Sequence, residues 1–129
     1  MKTVYVAGNP LVKEDSIPLC ILPRLKINFP QLKFCELEPT DELPEERELI
    51  IIDTVIGIKK VRVISDIDKI ETGKRYSLHD FDLGFNLKLL KKAGRIDSVT
   101  IICIPAGISE EKAYDGAAEI LRKLLRIKN

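Results

Sequence analysis

The feature that most constrains this chain is the segment Leu49-Ile50-Ile51-Ile52-Asp53, an unbroken aliphatic run that ends in a carboxylate. A run of this kind, without polar residues at alternate positions, is typical of a central strand that is buried on both faces. Strands of this type occur mainly in parallel sheets with helices on both sides. We therefore expect an α/β protein in which Asp53 ends a buried strand, at the edge where open α/β sheets build their sites.

Other segments alternate between strand and helix patterns around this run. The patterns predict strands at 3–7, 31–38, 60–64 and 99–104, and helices from about Ser16 to Ile27, from Asp82 to Gly94, and after Ser109. Segment 60–64 has the polar alternation of an edge strand, and Pro23 predicts a kink or an early end to the first helix. We therefore predict a three-layer sandwich with a mostly parallel, roughly five-stranded twisted sheet flanked by helices.

Length and charge limit the number of domains and the classes of partner. The chain has 129 residues, which is the size of one domain, and we assign residues 1–129 to a single domain. It has 21 Lys and Arg residues and 20 Asp and Glu residues, which gives a net charge of +1. No basic field therefore exists to hold nucleic acid. No apolar run reaches the roughly 18 residues of a membrane span, and no signal peptide is evident. We expect neither a nucleic-acid partner nor membrane insertion.

The cysteines do not form a recognisable disulfide framework. Cys20, Cys35 and Cys103 are far apart in the sequence, have apolar neighbours, and are odd in number. There is no CxxC pair that would hold zinc. We therefore expect reduced and buried thiols in a cytoplasmic protein.

Three potential metal ligands lie close to the ends of predicted strands or the starts of helices. Asp15 precedes the first helix, Asp53 ends the central strand, and His79 is the single histidine of the chain. Two carboxylates and an imidazole are a plausible ligand set for a borderline divalent metal such as zinc or nickel. Each also has a structural explanation, since Asp15 can cap a helix, Asp53 can cap a turn, and His79 can bond to a neighbouring acid.

Short motifs along the whole chain occur in an order that is typical of one enzyme family. They are Gly8-Asn9 after the first strand, Glu14-Asp15, Asp53, Ser77-Leu78-His79 before Leu83-Gly84, and Ile104-Pro105 at the end of a late strand. In these motifs the chain resembles the NiFe-hydrogenase maturation endopeptidases. It departs from the family pattern at Ser16 and Pro18, where glycines are usual, and at 38–41, which replaces a Gly-Gly loop. The resemblance is therefore to a divergent, archaeal-type member.

The resemblance implies a metal-dependent processing endopeptidase. Such an enzyme removes the C-terminal extension of a NiFe-hydrogenase large-subunit precursor after nickel has been inserted. The resemblance also implies that Asp15, Asp53 and His79 contact nickel, which arrives with that precursor as the partner protein. Zinc or another divalent ion can substitute for nickel in a ligand set of this kind.

Two other protein classes share part of the pattern. A receiver-type signalling domain would use Asp53 as a phospho-acceptor, but receivers place an acidic pair at the end of the first strand, where this chain has Ala7-Gly8. A peptidyl-tRNA hydrolase also has Gly-Asn-Pro after its first strand. That enzyme needs a histidine soon after this turn and a basic surface, and the chain has neither.

Overall fold

The computed structural model describes residues 2–8, 11, 13, 16–37, 47–65, 77–78, 94 and 97–127. These residues form six strands and two helices. In chain order they are β1 (Lys2–Ala7), α1 (Ile17–Asn28), β2 (Leu32–Leu37), β3 (Glu48–Ile56), β4 (Arg62–Ile64), β5 (Ser77–Leu78), β6 (Ser98–Pro105) and α2 (Glu110–Ile127). The helix that was predicted from Asp82 to Gly94 lies outside the described residues, apart from Gly94 itself.

The strands form one mixed, mostly parallel sheet in the order β2-β1-β3-β6-β4. Strands β1 and β2, β1 and β3, and β3 and β6 pair in parallel. Strand β4 lies at an edge, antiparallel to β6, and the two-residue strand β5 pairs antiparallel with the end of β3. The predicted α/β class is confirmed, as is the prediction that segment 60–64 contributes an edge strand.

Both described helices pack on the same face of the sheet. The apolar side chains of α1, among them Ile21 and Leu25, form one buried cluster with residues of α2 and with Ile52 and Ile102 of the central strands. The opposite face of β3 and β6 carries a second buried cluster that includes Ile51 and Ile101. The central strands are therefore buried on both faces, as the aliphatic run predicts.

The predicted end of the central strand at Asp53 is wrong, whereas the predicted range of the first helix is confirmed. Strand β3 does not end at Asp53 but continues to Ile56, because the β-branched residues after Asp53 find strand partners in β6 and β5. Helix α1 runs to Asn28, close to the predicted end at Ile27, so the helix does not end early at Pro23. A buried apolar stripe on α1 outweighs the backbone hydrogen bond that Pro23 removes, since packing supplies most of the stability of a helix in a folded protein.

The starts of the two helices differ in how they are capped. Ser109 caps α2, because its Oγ accepts a hydrogen bond from the backbone N–H of Lys112 at 3.2 Å. Ser16 does not cap α1 with its side chain, since its hydroxyl instead donates to the carbonyl oxygen of Lys13 at 2.8 Å. Within the described residues, no helix combines the length and apolarity that a membrane crossing requires.

Candidate active site at the carboxyl edge of the sheet

The order of the strands places a topological switch point between β1 and β3. From β1 the chain passes through α1 to β2 on one side, whereas β3 lies on the other side of β1, next to β6. Connections that leave neighbouring strands in opposite directions open a crevice beyond the carboxyl ends of those strands. Asp53 lies on β3 at the level where β1 ends.

Asp53 is a buried acid within the sheet. Its side chain is 2% exposed, and one carboxylate oxygen, Oδ1, accepts a hydrogen bond from the backbone N–H of Thr54 at 2.8 Å. A hydrogen bond from the adjacent backbone fixes the orientation of the carboxylate. An oriented carboxylate, that of Asp53, therefore lies at the switch point.

Two other pieces of chain approach β3 beside Asp53. The last register pair between β1 and β3 joins Val6 to Ile52, so the next residue of β1, Ala7, is level with Asp53. On the same side of β3, Leu78 of β5 pairs with Val55, two positions farther along. Strand β5 thus extends the line of β1, and Asp53 lies beside the junction between them.

A row of three chemically distinct side chains crosses the sheet at Asp53. Asp53 on β3 is paired with Cys103 on β6, and Cys103 is paired in turn with Arg62 on β4. Directly paired residues project from the same face of a sheet, so the carboxylate, the thiol and the guanidinium share one face. Neither Cys103 nor Arg62 was predicted to accompany Asp53.

The environment of Cys103 keeps its thiol protonated. The pKa of Cys103 is raised to about 12, first by the burial of its thiol and then by the negative charge of Asp53, while Arg62 partly opposes both effects. The side chain is 1% exposed, and its Sγ lies 3.7 Å from the carbonyl oxygen of Ile101. Because the thiolate is the nucleophilic form of cysteine, Cys103 does not act as a nucleophile near neutral pH.

The thiols are therefore expected to differ sharply in their reactivity. The prediction that all three are buried is wrong, because Cys20 is exposed and Cys35 is half-buried, whereas Cys103 is buried. At pH 8, an aromatic disulfide reagent should label Cys20 first and should label Cys103 only after the protein has been unfolded. Peptide mapping of the labelled sites against time measures this order, and early labelling of Cys103 would contradict its assignment as an inert, buried thiol.

The other two predicted ligands, Asp15 and His79, lie outside the described residues. Their described neighbours in sequence are Ser16, directly before α1, and Leu78, the last residue of β5. Among the residues that the structure describes, no group of three or more His, Cys, Asp or Glu side chains is arranged to hold a metal ion. The convergence of Asp15 and His79 on Asp53 stays a prediction.

Comparisons with known proteins bear on the fold alone. No protein-family model matches the chain, and no curated protein matches it. The chain is similar in structure to an uncharacterized protein from Wolinella succinogenes, with a TM-score of 0.58 and 15% sequence identity. The similarity covers 98% of this chain and 96% of that chain. Both chains therefore share one α/β fold over nearly their whole lengths.

Proposed function

We propose that this protein is a metal-dependent processing endopeptidase that removes the C-terminal extension of a NiFe-hydrogenase large-subunit precursor after nickel insertion. The nickel is part of the substrate, and Asp15, Asp53 and His79 are its ligands on the enzyme. The resemblance of the sequence motifs first suggested this activity. The position of Asp53 in the fold is the structural observation that supports it best.

The support comes from what borders Asp53 along β3. Ala7 and Leu78 lie on the same side of that strand. Ala7 is level with Asp53, and Leu78 is level with Val55, two residues farther along β3. Asp15 belongs to the segment that follows Ala7 in sequence, and His79 is the residue after Leu78. The segments that carry the two other proposed ligands therefore leave the described sheet beside the buried carboxylate.

The chemistry of the described residues also favours metal assistance over a protein nucleophile. The thiol that is paired with Asp53 in the strand register, that of Cys103, is 1% exposed and is therefore not accessible to a substrate carbonyl. A bound divalent metal would polarise the scissile carbonyl or activate a water molecule. The part of Asp53 is to present a carboxylate whose orientation the Thr54 N–H holds.

Cleavage is expected to depend on nickel in the precursor. Two carboxylates and one imidazole form a more open ligand set than the His₃, His₂Glu or Cys₂His sets that are common in catalytic zinc sites. The coordination of the metal is completed only when a metal-bearing substrate docks, so the metal itself selects nickel-loaded precursors over metal-free ones. Purified protein should therefore cleave the nickel-loaded precursor and should leave the metal-free precursor intact, as measured by intact-mass spectrometry.

A peptide that spans the cleavage junction serves as the control for sequence recognition. It carries the scissile bond but no nickel, and it should not be cleaved. Equal rates on loaded and metal-free precursor would exclude selection by nickel and would indicate a self-contained metallopeptidase. No cleavage of any form would exclude the proposed substrate.

A further inference from the structure

A pocket lies between α2 and the loop that joins β3 to β4. It has a volume of about 440 Å³, and its lining residues are Lys59, Lys60, Val61, Ile108, Lys112 and Gly116. Three of these six residues are lysines, and none of the lining residues that the structure describes is an acid. Volumes of this order are typical of pockets that bind small molecules.

A close backbone approach holds the lysine-bearing loop on the helix. Gly116 lies inside α2, where glycine costs about 1 kcal/mol relative to alanine. A Cβ at this position would lie 2.5 Å from the Cβ of Val61, which is closer than real Cβ contacts allow. Glycine at this position therefore lets Val61 pack against α2, which brings Lys59 and Lys60 to the same pocket as Lys112.

The three lysines of the pocket are not held in ion pairs with carboxylates that the structure describes. None of the ion pairs among the described residues includes Lys59, Lys60 or Lys112. Glu111, one residue before Lys112, instead pairs with Arg24 of α1 at 3.0 Å. Three like charges around one pocket repel one another, and a bound anion would remove this repulsion.

We propose that this pocket binds a small organic anion that carries at least two negative charges on oxygen. The lysines contribute the charge, since ammonium groups bind phosphate and carboxylate oxygens as mobile point charges. Val61 and Ile108 supply an apolar surface for the carbon skeleton of the ligand. The site is distinct from the row of Asp53, Cys103 and Arg62, and it does not depend on the proposed peptidase activity.

The test is a titration of the full-length protein with pyrophosphate and, separately, with citrate, followed by calorimetry at constant ionic strength. The variant K59Q/K60Q/K112Q should weaken binding at least about tenfold, because charge-assisted hydrogen bonds are lost. The variant K26Q/K33Q/K123Q has the same net charge and alters exposed lysines that do not line the pocket. Its affinity should stay within about twofold of the unchanged protein, because distant surface charges are screened by salt.

The comparison between the two anions identifies the chemistry of the ligand. Tighter binding of pyrophosphate would assign a phosphorylated ligand, and tighter binding of citrate would assign a polycarboxylate. Equal losses of affinity in the two triple variants would show that binding depends only on net charge, and would overturn the proposal. Absence of saturable binding of either anion to the unchanged protein would also overturn it.

Gly116→Ala tests the contribution of the close approach separately from the charges. Alanine favours the helix, so helicity by circular dichroism should be maintained, while the Cβ displaces Val61 and the adjacent lysines. Binding of the better of the two anions should therefore weaken although every lysine is retained. Unchanged affinity in this variant would show that the position of the loop does not create the site.

Discussion

Asp53→Asn is expected to abolish precursor processing while the protein stays folded. Asparagine has nearly the same shape, and its side-chain oxygen can still accept the hydrogen bond from the Thr54 N–H. The substitution removes the negative charge that the proposed metal contact requires. A metal interaction contributes several kcal/mol to the transition state, so the rate should fall at least about 10²-fold. Single-turnover cleavage of nickel-loaded precursor measures the loss.

The matched control is Asp97→Asn, which changes charge by the same amount at an exposed ion pair with Arg47. Exposed pairs of this kind contribute little, so this variant should process at the normal rate. His79→Ala should lose processing as Asp53→Asn does, because it removes the proposed imidazole ligand. Full processing by either ligand variant would contradict the metal site. If Asp53 were instead a phospho-acceptor, a small-molecule phosphodonor would add a phosphoryl group to the unchanged protein and not to Asp53→Asn.

Ile52→Ala is expected to cause the largest loss of stability of the substitutions considered. Ile52 is 0% exposed and lies on the central strand, within the cluster that joins the sheet to both described helices. Removing three buried carbon atoms costs about 2–5 kcal/mol, because apolar burial is lost and a cavity is left behind. This loss is a large part of a typical total stability of about 5–15 kcal/mol. The midpoint of thermal unfolding should fall by roughly 10 °C.

Ile27→Ala provides the control for this measurement. Ile27 has the same side chain but is 76% exposed near the end of α1. Its substitution should change the free energy of unfolding by no more than about 0.5 kcal/mol. Equal losses from the two substitutions, measured by denaturant unfolding, would contradict the placement of β3 at the centre of the core.

Much of the fold could be predicted because its strongest signals are local. The aliphatic run that precedes Asp53 predicts a strand buried on two faces, and the polar alternation around Arg62 predicts an edge strand. Strand β5 has only the two residues Ser77–Leu78, which is too short for any periodicity to show. The continuation of α1 through Pro23 depends on packing against the sheet, which a local pattern does not contain.

The candidate site could be predicted only in part, because most of its geometry depends on register. The sequence places Asp53 on a buried central strand, but it also places the end of that strand at Asp53, whereas β3 continues to Ile56. The alignment of Asp53 with Cys103 and Arg62 depends instead on which distant strands pair and at which residues. Cys103 has no special sequence context, and its pKa of about 12 arises from burial within the completed sheet. The exposure of Cys20 is likewise a property of which side of α1 faces the core.

The pairing of β3 with β6 has a consequence for synthesis of the protein. All eight register pairs between them join β3 to residues from Ser98 to Pro105, which the ribosome makes well after β3. Until then the aliphatic residues of β3 are without this partner, and unpaired strands of this composition are prone to aggregate. We expect a nascent chain stalled before Ser98 to require chaperone protection, and one extended past Pro105 and α2 to lose that requirement.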